Sequence, residues 1–170
     1  MSKMFLQQDY DAFMLRLRNA QEAYARAGQE SGEACHQSAE TTHDNFPYEQ
    51  AMRDMDLYGR MIRNCIEILN EATVVESLSI SSKTVQIGHV VKVANLERNC
   101  VEWYRIGSFA VPEVGGDGTS AESPFSISYA GKMGSAFLGR KINDSFRLFD
   151  LRNNDFIVVI LELTAQPPVV

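Results

Sequence analysis

Cysteine is scarce in this chain: Cys35, Cys65 and Cys100 are the only three, widely spaced and with no CxxC pair. An odd, scattered set excludes a disulfide framework and reads as reduced thiols. Long apolar runs are missing as well, and the longest, such as Ile-Val-Val-Ile-Leu at 157–161, fall far short of a bilayer's thickness. The opening MSKMFLQQDYD has one lysine and no extended apolar region, unlike a secretory leader. These absences point to a soluble, cytoplasmic chain with no membrane partner. Positive charge is the minority, 16 Lys+Arg against 22 Asp+Glu, so binding nucleic acid through bulk charge is excluded. Cys35-His36 with His43 lacks a fourth ligand and its adjacent side chains diverge, which argues against a metal site.

What is present is an ordinary globular composition, 45% hydrophobic and 22% charged over 170 residues, enough for one domain or two small ones. The charge is uneven. Residues 1–75 carry 7 Lys+Arg and 12 Asp+Glu, whereas 76–170 carry 9 and 10. An acidic front and a near-neutral back indicate two differently built parts, with boundaries at 1–75 and 76–170 and a linker at about 74–84.

In the front part, Tyr10, Phe13, Leu17, Ala20, Tyr24 and Ala27 recur at alternating steps of three and four, with Met14 and Ala23 widening the stripe. Tyr48, Ala51, Met55, Tyr58, Ile62, Cys65 and Leu69 do the same, with Met52, Ile66 and Ile68 beside them. That spacing predicts two helices with a narrow seam, and a short polar connector makes them antiparallel. At about 1.5 Å per residue, such a hairpin reaches on the order of 40 Å. It reads equally as a projecting probe or as a plain hairpin packed on the rest of the chain.

The connector, QSAETTHDNFP at 37–47, has no apolar period. Pro47 sits just inside the second helix, with Asp44 or Asn45 ahead as its cap. Glu40 and Asp44 lie four apart. Carboxylates at an exposed turn can share a divalent cation with another macromolecule, while the plainer reading leaves Asp44 a cap and Glu40 solvated.

The back part changes period. Val85–Val93, Val101–Phe109, Phe125–Tyr129, Ser145–Phe149 and Phe156–Leu163 alternate or are β-branched, and turn-forming clusters separate them. A short helix is expected at Met133–Leu138, stopped by Gly139. This predicts an α+β domain, an antiparallel sheet with one helix, burying Trp103, Phe109, Phe125, Phe137, Phe146 and Phe156. GGDG at 115–118 does not open a helix and is a turn. Trp103 with Tyr104 offers a stacking surface, yet in an alternating strand one of the pair goes to the core. His89, between valine-rich stretches, reads as a structural histidine. No GxSxG or paired His/Asp spacing supports a nucleophile, so no self-contained enzyme active site emerges.

Five segments, in order, resemble the Gre transcription cleavage factors of bacteria over essentially the whole chain. HDNFPYEQA (43–51) is similar to the family's KENAEYHAA-type tip, and EATVVESLSISSKTVQIGHVVKV (71–93) to its passage into the first strand. VEWYRIG (101–107) resembles its hairpin strand, ISYAGKMGSAFLGRKINDSF (127–146) its ISxxSPxxxALxGKxxGDxV motif, and FIVVILEL (156–163) its closing strand. The resemblance implies an N-terminal antiparallel coiled coil and a C-terminal FKBP-like domain. It implies that the C-terminal domain docks at the rim of the RNA polymerase secondary channel through Gly131, Lys132, Met133 and Phe137. It also implies that the tip residues Asp44, Glu40 and Asn45 assist the polymerase's own Mg²⁺ at a backtracked RNA 3′ end. No cofactor of its own and a monomeric state go with this reading. Thr41 stands where the family has its first acid, and Gly131-Lys132 where it has Ser-Pro. A channel-binding regulator without cleavage is the alternative within the family. A prolyl isomerase and a coiled-coil adaptor outside transcription are the alternatives beyond it.

Overall fold

Apolar residues at steps of three and four leave one dry stripe on each of two helices, and the computed structural model pairs those stripes. It describes residues 2–37, 45–75, 83–111, 116–149 and 154–165. Along the chain come β1 (Lys3–Leu6), α1 (Gln7–Gln37), α2 (Phe46–Asn70), β2 (Ala72–Val75), β3 (His89–Asn95) and β4 (Cys100–Gly107). Then follow β5 (Phe125–Ser128), α3 (Lys132–Phe137), β6 (Ser145–Phe149) and β7 (Asp155–Ala165). No described helix is long and apolar enough to cross a membrane.

Two compact units result: Asp11–Ala72, the helical hairpin, and Met1–Tyr10 with Thr73–Val170, the β-rich unit. The first ten residues, which the 1–75 boundary groups with the hairpin, cluster with the β-rich unit instead. β1 pairs with β2, whose last two residues enter the stretch read as a linker.

In the hairpin, Phe13, Leu17, Ala20, Ala27, Ala34, Ala51 and Cys65 are buried, all on the expected stripes except Ala34, which continues the first stripe about two turns beyond Ala27. Met14, Tyr24, Met52 and Ile66 are exposed, because a two-helix seam is too narrow to cover the flanking positions. As the α1 position advances from Tyr24 to Gly28 to Ser31, its α2 neighbour retreats from Gly59 to Met55 to Met52, which fixes the antiparallel register.

In the β-rich unit five strands run in the order β5-β4-β3-β7-β6. All pair antiparallel except β5, which lies parallel to β4. The expected purely antiparallel sheet is corrected here: the connection between β4 and β5 is long enough to cross over and bring the chain back in the same direction. One face, covered by α3, holds the core of Val91, Val93, Tyr104, Ile106, Phe137, Phe146, Leu148, Phe156, Val158 and Ile160. The Phe137 ring meets Phe146 edge-on at 5.1 Å and Tyr104 at 5.4 Å between centroids.

Strand alternation decides which aromatic goes inside. Tyr104 and Ile106 face the core, so Trp103 points the other way, half-buried, with Lys92 Nζ 5.1 Å from its ring. Phe109 is only half-buried and Phe125, on the edge strand, is 36% exposed. The expectation that these three belong to the core is therefore corrected. Tyr104 Oη donates to Glu102 at 2.9 Å, and burial, then the Glu102 charge, pushes its phenol above the ordinary range. Gly134 permits the seating of α3, since a Cβ there would run into the Ser128 carbonyl. Gly139, at φ +78°, ends the helix as the spacing predicts.

His89 is buried as a structural histidine. Its Nδ1 accepts the Gln86 N–H at 3.3 Å, and burial lowers its pKa below the usual 6.5.

Candidate functional site

The end of the hairpin nearest its connector is where the sequence places its carboxylates, and the residues that shape that end are described on both sides. Asn45 precedes α2 and caps it: its Oδ1 accepts the Tyr48 N–H at 3.2 Å, and Pro47 follows in the first turn. Its Nδ2 donates to the Ala34 carbonyl of α1 at 3.0 Å. One side chain thus starts the second helix and ties it to the end of the first. Of the two caps the sequence allows, Asn45 is the one in place. Glu40, Thr41 and Asp44 lie outside the described residues, as does His43. Cys35 and His36 are exposed neighbours, and no cluster of three potential metal ligands occurs among the described residues.

The register sorts the hairpin's charges by position. Residues 28–56, the half towards the connector, contain the carboxylates Glu30, Glu33, Glu40, Asp44, Glu49, Asp54 and Asp56 against the single arginine Arg53. The other half carries Asp11, Glu22, Glu67 and Glu71 against Arg16, Arg18, Arg26, Arg60 and Arg63. The described ion pairs here, Arg53–Glu49 and Arg60–Asp56, are exposed i,i+4 pairs at 3.0 Å that do little to offset the field. Negative potential therefore rises along the hairpin towards the connector.

Of the four residues expected to dock on a partner, three lie at the surface or near it. Gly131 precedes α3 with extended backbone (φ −76°, ψ 163°) and is exposed. Lys132 is exposed with Nζ 3.9 Å from the Phe149 ring centre, and Met133 is half-buried against the core. Phe137 is fully buried and closed to any partner. The helical period brings it to the same side as Met133, so it supports α3 from beneath.

A buried network that pattern reading misses secures the root of α1. Arg105, 6% exposed, donates from Nη2 to Asp9 Oδ1 at 2.6 Å. Asp9 Oδ2 accepts from the Ser108 N–H at 3.1 Å and the Ser108 hydroxyl at 2.6 Å, and the Leu6 N–H donates to that hydroxyl at 2.8 Å. Both charges are paired and hydrogen-bonded, the condition for tolerating them in the interior. The first turn of α1 is thereby fastened within the β-rich unit. Two further bonds hold β1 there: the Met4 N–H donates to Tyr129 Oη at 3.1 Å, and the Phe109 N–H to the Met4 carbonyl at 3.0 Å. The available signal was an arginine inside the apolar run Trp-Tyr-Arg-Ile, which demands a carboxylate partner without saying which.

No protein-family model and no curated protein matches the chain. Solved structures do match, over nearly the full length. GreA factor homolog 1 (Gfh1) of Thermus thermophilus is 18% identical, covering 97% of this chain and 100% of that one, with a TM-score of 0.42. Thermus aquaticus Gfh1 is 18% identical over 96% and 99%, with a TM-score of 0.41. The prokaryotic transcription elongation factor GreA/GreB from Nitrosomonas europaea is 16% identical over 96% and 98%, with a TM-score of 0.37.

Proposed function

We propose that this chain is a Gre-type factor that binds RNA polymerase and enters its secondary channel with the connector end of the hairpin leading. In this reading it has no active site of its own and stimulates the polymerase's endonuclease activity on backtracked RNA. The observation that carries the proposal is the segregation of charge along the hairpin, seven carboxylates against one arginine in the leading half. A long, thin, acid-tipped rod suits a task in which ligands are lent to a metal deep inside another protein. Such a metal belongs to the polymerase and supplies the activation of water. Asp44 and Glu40 would hold it with carboxylate oxygens, and Asn45, next in sequence after Asp44, fixes the start of α2. The surface around Gly131 and Lys132 is the part that meets the channel rim.

Stalled, backtracked elongation complexes with Mg²⁺ test this. Addition of the protein shortens the RNA and leaves a new 3′ end. Asp44→Ala lowers that cleavage roughly 10- to 100-fold, the usual cost of disturbing the surroundings of a catalytic metal, and leaves polymerase binding intact. Unchanged cleavage in Asp44→Ala removes the residue from the mechanism. Thr41 favours one second reading, since a hydroxyl stands where the family's motif carries an acid and cannot supply that charge to Mg²⁺. A factor that occupies the channel without promoting cleavage gives competition with an authentic cleavage factor and no shortened RNA.

A further inference from the structure

The two halves of the hairpin are held together by different means. Towards the root the buried side chains are Phe13, Leu17, Ala20, Ala27 and Cys65; among the described residues towards the connector they are Ala34 and Ala51. Alanine buries little apolar surface, so the connector half gains far less from leaving water. The same half contains Gly28 and Gly32 inside α1. A Cβ at Gly32 would meet nothing within 4 Å, and one at Gly28 only Met55 Cε at 3.9 Å. Neither glycine is needed for a close approach, so each only weakens the helix. The carboxylate excess adds like-charge repulsion, with Glu30 and Glu33 three apart on one helix. Against these stands the Asn45 clasp between the α2 cap and the Ala34 carbonyl.

We infer that residues 28–36 and 45–56 form a separate opening unit, which unpairs and re-pairs while residues 11–27 and 57–71 stay zipped. Seam size and charge change at the same point, near Gly28 and Met55, and α1 carries both of its glycines on the connector side of it, whereas the single glycine of α2, Gly59, lies against Tyr24 on the root side. The unit closes more firmly wherever its negative charge is neutralised. This inference stands whether or not the chain acts on polymerase.

Hydrogen exchange of the full-length protein, read by mass spectrometry peptide by peptide, tests it. Amides of 30–36 and 50–56 exchange at least about tenfold faster than those of 14–27 and 60–69, through an opening below the global one. The Gly28→Ala and Gly32→Ala double variant slows exchange in the connector half about 30-fold and leaves the root half unchanged. Asn45→Ala speeds the connector half about fivefold, again alone. Equal protection in both halves of the native protein overturns the inference, as does a double variant that slows both halves alike.

Discussion

The β-rich unit and the hairpin solve the same problem with side chains of different size. In the sheet, phenylalanine, tyrosine, leucine and isoleucine interlock in a layer between strands and α3, and Phe137, Leu148 and Ile160 lose all contact with solvent. Among the described residues of the hairpin, buried leucine and phenylalanine occur towards the root, and alanine replaces them towards the connector. Enclosure needs neighbours on several sides, which a layered sheet supplies and two helices alone do not. This molecule concentrates stability where a scaffold is needed and concentrates charge where its buried surface is least.

The largest expected effect attacks the scaffold at its buried ion pair. Asp9→Ala leaves the Arg105 guanidinium enclosed without the Asp9 carboxylate and costs about 3–5 kcal/mol, read as a lowered urea midpoint by Trp103 fluorescence, since Trp103 is the single tryptophan. A loss under about 1 kcal/mol would show that the pair is replaceable and the root of α1 is held otherwise. Truncating leucine in each region sharpens the contrast. Leu148→Ala, with no exposed surface, falls near the top of the range of about 2–5 kcal/mol, and Leu17→Ala, 9% exposed on a two-helix seam, near the bottom. Leu17→Ala also shifts the helical signal at 222 nm more than Trp103 fluorescence. Equal losses would erase the distinction between a layered core and a seam.

The smallest effect is a slope with pH. Burial lowers the pKa of His89 in the folded state, so the unfolded chain binds the proton more readily. The stability that goes with neutral His89 is present above pH 6.5 and is lost as pH falls below 6.5 towards the lowered folded value, at no more than about 1.4 kcal/mol per pH unit. Protonation at Nδ1 would also remove the acceptor for the Gln86 N–H. His89→Gln flattens that slope in the β-rich unit, and an undiminished slope would assign it to other groups.

Much of this arrangement is legible in the residues themselves. Steps of three and four locate α1 and α2, Pro47 and Asn45 locate the start of α2, and alternation places five of the strands and α3 to within a few residues. Three things escape. β1 is a four-residue strand whose order depends on Tyr129 and Ser108, more than a hundred residues away in sequence, and no local pattern encodes that. The parallel pairing of β5 depends on the path of a long connection rather than on Phe-Ser-Ile-Ser itself. Trp103 and Tyr104 are adjacent and both aromatic, so alternation says that they part but not which turns inward. At the site, Asn45 is readable as a cap, whereas its second bond to Ala34 needs the hairpin register. The burial of Phe137 follows from helical phase once Met133 is known to face the sheet.

Entry of the hairpin into the polymerase channel is tested by a probe at its connector end. Cys35 is exposed two residues before the end of α1, Cys65 is buried, and Cys100→Ser removes the other exposed thiol. A thiol-linked photo-crosslinker on Cys35 of Cys100→Ser protein, bound to a backtracked elongation complex, is predicted to label the polymerase active centre and the RNA 3′ end. Labelling confined to the outer surface of a polymerase that still binds the protein would mean that the hairpin does not enter the channel.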